Sequence, residues 1–86
     1  MKIKPKKRLG QNFLKDTNIL DLIIKISKIN FVNTVVEIGP GTGNLTEKII
    51  LQNPKKIIVF EKDKDLSVLL KKKFLNKIEI INEDFM

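Results

Sequence analysis

The sequence contains no cysteine, no histidine, no tyrosine and no tryptophan. Without cysteine there are no disulfides, no thiolate zinc sites and no cysteine nucleophile. Without histidine there are no imidazole metal ligands, no His–Ser type of triad and no neutral-pH general base of the usual kind. Any catalysis must therefore rest on carboxylates, lysines, hydroxyls, backbone dipoles or a bound cofactor, and no metal is expected. Long apolar runs are missing too. Ile57-Ile58-Val59-Phe60 is among the longest, whereas a transmembrane helix needs about 20 apolar residues. The N-terminal end is charged with no apolar stretch behind it, unlike a secretory signal, and favours Lys over the Arg and Ser of a transit peptide. A cytoplasmic protein with no membrane partner is expected.

What is present is short and basic. A chain of 86 residues is at most one small domain, and one of this size buries only about 60–65% of its unfolded surface. Seventeen Lys+Arg against ten Asp+Glu give a net charge of +7, which suggests an anionic partner such as nucleic acid. Sixteen of the seventeen basic residues are lysine, and Ile, Lys and Asn together supply 38 of the 86 residues. An AT-rich coding sequence produces that bias whatever the function, so the placement of charge matters more than its sum. It is densest at the start, where Lys2, Lys4, Lys6, Lys7 and Arg8 are five of the first eight residues. Pro5 and Gly10 break any helix there. Residues 1–15 read as a basic arm, with Lys4, Lys6, Lys7 and Arg8 as candidate contacts to RNA phosphate.

Beyond the arm, Asp16 or Thr17 can cap a helix over about residues 17–29. Ile19, Leu20, Ile23, Ile24 and Ser27 recur at helical spacing on its inner face, with Leu22, Ile26 and Ile29 widening that face. Thr34–Ile38 is β-branched and mostly apolar, as a buried parallel strand should be. Asn44–Leu51 reads as a helix that Asn53-Pro54 ends. Ile57–Phe60 is a second strand. A third helix follows with Leu66, Leu69, Leu70 and Phe74 on one face, then a turn at Asn76-Lys77 and a third strand over residues 78–81. The order, helix then βαβαβ, predicts an α/β fold with a parallel sheet and right-handed crossovers, one half of a doubly wound domain. A three-stranded sheet of this kind leaves an edge open.

The chemistry concentrates at the strand ends. Glu37-Ile38-Gly39-Pro40-Gly41-Thr42-Gly43 passes from strand to helix. Its three glycines let a ligand lie against the backbone, and the helix start offers unpaired N–H groups. In a G-x-G-x-x-G dinucleotide fingerprint counted from Gly39, the last glycine falls on Asn44, and a P-loop Gly-Lys-Ser/Thr is absent. The remaining pattern, E-x-G-x-G-x-G, resembles the first motif of S-adenosylmethionine-dependent methyltransferases. Glu61 closes the second strand eighteen residues beyond Gly43, where a carboxylate can accept hydrogen bonds from both ribose hydroxyls of a nucleoside cofactor. Asp84 closes the third strand and could accept a hydrogen bond from an adenine amine, a role open to Glu83 as well. All three positions lie at the carboxyl ends of parallel strands, where open α/β sheets bind ligands.

Gly10-Gln11-Asn12-Phe13-Leu14, followed by a helix, VEIGPGTGNLT, an F-E-K-D strand end and a strand ending in E-D, resembles the rRNA adenine dimethyltransferases, the kasugamycin-sensitivity type of small-subunit methylase and its relatives. The likeness runs over about residues 4–86. It implies a Rossmann-like methyltransferase fold, here its N-terminal half, in residues 16–86. It implies S-adenosylmethionine as cofactor. Asn12 and Leu14 would contact its methionine end, Gly39 would touch it from the glycine loop, Glu61 would bind the ribose and Asp84 the adenine region. The implied partner is small-subunit rRNA in an immature ribosomal subunit, met by a monomer.

Family members run far longer and hold the target base with an Asn-Leu-Pro-Tyr-type motif after a fourth strand. No such tetrad occurs in these 86 residues, so by the resemblance the base-holding motif would lie beyond Met86. The family's C-terminal helical domain is not represented either. The resemblance therefore implies a cofactor-binding portion with no catalytic residue of its own, expected to be inactive by itself. Alternatives are a non-catalytic cofactor- or RNA-binding module, a drug-resistance methylase of the large subunit, a mitochondrial transcription factor of the same superfamily, or a doubly wound domain for another nucleotide.

Overall fold

The computed structural model describes residues 2–3, for their backbone, and residues 16–84. The elements are β1 (Lys2–Ile3), α1 (Thr17–Ser27), β2 (Thr34–Ile38), α2 (Asn44–Leu51), β3 (Lys56–Phe60), α3 (Lys64–Phe74) and β4 (Glu79–Ile81), with a 3₁₀ turn at Leu75–Lys77 before the last strand. The four strands form one sheet in the order β1-β2-β3-β4, and every neighbouring pair is parallel. Among the described residues no helix is long and apolar enough to cross a membrane.

Burial alternates along the strands and sets the faces. Val35 pairs with Ile57, Glu37 with Val59, and Val59 with Ile80. Val35, Ile57 and Val59 belong to the core, together with Leu20 of α1, Leu45 and Ile49 of α2, and Leu70 and Phe74 of α3. Both crossover helices therefore pack on one side of the sheet, with α1 beside α2, where Lys48 Nζ meets Asp21 Oδ1 at 2.6 Å. The opposite face carries Val36, Ile58, Phe60 and Ile81, each only partly buried.

The local signals explain the ends of the helices. Asp16 caps α1, its side chain accepting from the N–H groups of Asn18 and Ile19. Asp63 caps α3 in the same way, accepting from Asp65 and Leu66. Lys28 closes α1 in the left-handed region at φ 52°.

Three expectations are corrected. Residues 1–15 are not irregular throughout, because Lys2 and Ile3 pair with Val36 and Glu37. The free N–H and C=O groups of an outer strand accept any short extended segment, and this one closes part of the β2 edge that a three-stranded sheet would leave open. On α3, Leu69 is exposed and Ser67 is buried, since Ser67 finds a hydrogen-bond acceptor inward. On α1, Leu22 and Ile26 are exposed at 53% and 68%, so the buried stripe is narrower than the apolar one.

Candidate functional site

Gly39 and Glu61 each follow directly on the last residue of a parallel strand, and hydrogen bonds hold the strand ends level. The Gly39 N–H donates to the Phe60 carbonyl at 2.9 Å, and the Glu61 N–H donates to the Ile81 carbonyl at 3.0 Å. Gly39, Glu61 and the residues after Ile81 thus share one end of the sheet. Asp84 lies three residues past β4 and is exposed. Asn12, Leu14, Lys4, Lys6, Lys7 and Arg8 lie outside the described residues. Met86, beyond which the base-holding motif is expected, lies outside them too.

The glycine turn is shaped by conformation and by packing. Gly39 has φ 66°, and a Cβ added there would meet nothing within 4 Å. The space above Gly39 is open. Gly43 has φ 91°, and a Cβ there would come within 2.6 Å of the Phe74 ring. Gly43 is thus required by the packing of α3, while Gly39 faces the rim. Lys73 of α3 reaches back to the same turn, donating to the Thr42 carbonyl at 3.1 Å with its ammonium 5.3 Å from the Phe74 ring centre.

Glu61 is buried, with 6% of its surface exposed. Its Oε2 accepts the Asp63 N–H at 2.9 Å. A carboxylate has two acceptor oxygens, so one fixed in place through Oε2 is suited to accept hydrogen bonds from a diol.

Glu37 was legible only as the first letter of the glycine motif, yet among the described residues it is the one group with a clearly shifted carboxyl. It has no exposed surface. Its Oε1 accepts from the Thr46 hydroxyl at 2.5 Å, and among the described residues its Oε2 is buried without a partner. Burial pushes its carboxyl from an ordinary 4.5 up to about 7, against the opposing pull of the Thr46 hydrogen bond. Strand parity with Val35 was the signal for this placement. Asn82 and Ser67, which bind the Glu61 backbone, carried no sequence signal. Among the described residues no cluster of acidic side chains could hold a metal ion.

An open parallel sheet with a glycine turn after one strand and a buried carboxylate after the next forms the N-terminal half of a Rossmann-like methyltransferase fold. The chain belongs to the ribosomal RNA adenine dimethylase family, whose pattern matches residues 2–86. It is 52% identical over its whole length to the ribosomal RNA small subunit methyltransferase A of Pelagibacter ubique, covering 32% of that protein. It is 45% identical, over 98% of its length, to the protein of that name from Sulfurihydrogenibium, covering 33% of it. Among solved structures, a dimethyladenosine transferase from Plasmodium falciparum superposes with a TM-score of 0.75 at 38% identity, over 81% of this chain and 26% of that one. The 23S rRNA methyltransferase ErmE superposes with a TM-score of 0.74 at 28% identity, over 81% of this chain and 29% of ErmE. The chain spans about a third of the length of the curated relatives it matches. The family is one of methyltransferases, and the residues here fit a methyl-donor nucleoside on two structural grounds: among the described residues the space at Gly39 is open, and the buried Glu61 carboxylate is held through Oε2 at the same sheet end.

Proposed function

We propose that this chain is the cofactor-binding part of a small-subunit rRNA adenine dimethyltransferase and that it takes S-adenosylmethionine. The observation that carries the reading is the pairing of Gly39 and Glu61 across one rim, with open space above the first among the described residues and a buried carboxylate anchored through Oε2 at the second. When bound, S-adenosylmethionine supplies a sulfonium methyl group for transfer to an adenine amine. The chain's own residues bind and orient. Glu61 accepts hydrogen bonds from the ribose hydroxyls while the Asp63 N–H keeps its carboxylate in place. Gly39 leaves room for close approach. Asp84 receives the adenine region, and Asn12 and Leu14 the methionine end. Lys4, Lys6, Lys7 and Arg8 contact the rRNA backbone.

The names of the relatives support small-subunit rRNA as substrate, and a cytoplasmic monomer is the proposed setting. The sequence up to Met86 contains no Asn-Leu-Pro-Tyr-type tetrad, so no base-holding role is given to any of these residues. The test is transfer of a tritiated methyl group from S-adenosylmethionine to immature small subunits by the full-length protein. Transfer that falls to background in Glu61→Ala is expected. Transfer undiminished by that change would refute the site.

A further inference from the structure

The side chain of Asn82, the first residue after β4, turns back across the sheet end to β3. Its Nδ2 lies 2.9 Å from the Glu61 carbonyl, 3.2 Å from the Lys62 carbonyl and 3.1 Å from Ser67 Oγ. Two carbonyl oxygens accept and cannot donate, so only the amide nitrogen can face them, and the orientation of the side chain is settled. Buried Ser67 also donates its hydroxyl to the Glu61 carbonyl, at 3.2 Å. The Glu61 N–H is held by the Ile81 carbonyl, one residue before Asn82. Both backbone groups of Glu61 are therefore tied to the β4 end or to α3, and its side chain is tied to Asp63. The connection from β3 to α3 is only three residues long, so a bond to Glu61 and Lys62 fixes most of it.

We infer that Asn82 is a positioning residue for the Glu61 carboxylate. It sets the direction of Oε1 by holding the backbone on either side of the Glu61–Lys62 peptide, and makes no contact with the cofactor itself. The inference rests on the reading of Glu61 as the ribose-binding group. Ser67 supports the same carbonyl from the helix side, so loss of Asn82 loosens the turn without unfolding it.

Calorimetry on the full-length protein tests this with S-adenosylhomocysteine and with its 2′,3′-dideoxy analogue, which lacks the ribose hydroxyls. Asn82→Ala should weaken S-adenosylhomocysteine about tenfold, the size of one net hydrogen bond. It should leave the dideoxy analogue unchanged and add nothing in a Glu61→Ala background, because coupled residues are not additive. Asn82→Asp keeps the shape but sets a carboxylate against two carbonyls, and should weaken binding at least as much. Asn82→Ser keeps a donor and should recover part of the loss. Equal weakening of both ligands by Asn82→Ala, full additivity with Glu61→Ala, or full affinity in Asn82→Asp would overturn the inference. Unchanged affinity in Glu61→Ala would instead overturn the reading of Glu61.

Discussion

A carboxylate with no exposed surface is costly to keep charged. Glu37 is such a group, and its raised carboxyl gives the chain a definite pH dependence. Between 4.5 and about 7 the folded state holds a proton at Glu37 that the unfolded state has released. Stability from this group is fully present below the lower value and is lost as pH rises through the higher one. The loss is on the order of 3 kcal/mol from a shift of this size. Urea denaturation at a series of pH values should show wild type losing stability relative to Glu37→Gln across that window, with the difference levelling off above it. Parallel curves would show that Glu37 finds a partner. The glycines make a second contrast. Gly43→Ala should cost about 2 kcal/mol or more, since it adds backbone strain at φ 91° to a collision with Phe74. Gly39→Ala should cost about 1 kcal/mol from its φ alone, but should weaken S-adenosylhomocysteine binding by filling the open space. Denaturation midpoints and calorimetry together separate the two effects.

The elements divide into those the sequence dictates and those the rest of the molecule imposes. β2, α2 and β3 were legible because β-branched runs, glycines and Asn-Pro stand at their borders, and Asp16 capped α1 as its position suggested. The cap at Asp63 is worth about 1 kcal/mol by the usual measure. Asp63→Ala should lower stability by that amount, and a drop no larger than that of an exposed Lys→Ala would show that the two N–H groups of α3 find other acceptors. The buried face of α3 was misread at Leu69 and Ser67, because apolar periodicity is blind to a hydroxyl that bonds a strand-end carbonyl. The strand at Lys2–Ile3 could not be read at all. Two residues in a basic stretch carry no pattern, and their pairing comes from the exposed edge of β2. The shared rim of Gly39 and Glu61 was legible because parallel strands place their ends together. Glu37 showed only through its strand parity with Val35, and Asn82 not at all, because its bonds across the strand ends arise only once the sheet has formed.

Across the molecule, the sheet rim gathers the acceptor groups, and the basic residues of the sequence are densest in its first eight positions. If that arm holds rRNA phosphate, changing Lys4, Lys6, Lys7 and Arg8 together to Ala should flatten the salt dependence of binding, since each lost contact removes about 0.7–0.9 from the log–log slope. An unchanged slope would return these charges to composition. The claim on which all else depends is that one rim of this sheet binds a methyl-donor nucleoside. Amide NMR of the full-length protein titrated with S-adenosylhomocysteine tests it most directly. Saturable shifts centred on Gly39, Glu61 and Asp84 are expected, with saturation lost in Glu61→Ala. Saturable shifts confined to residues at the opposite end of the strands, such as Thr34 and Lys56, would contradict it.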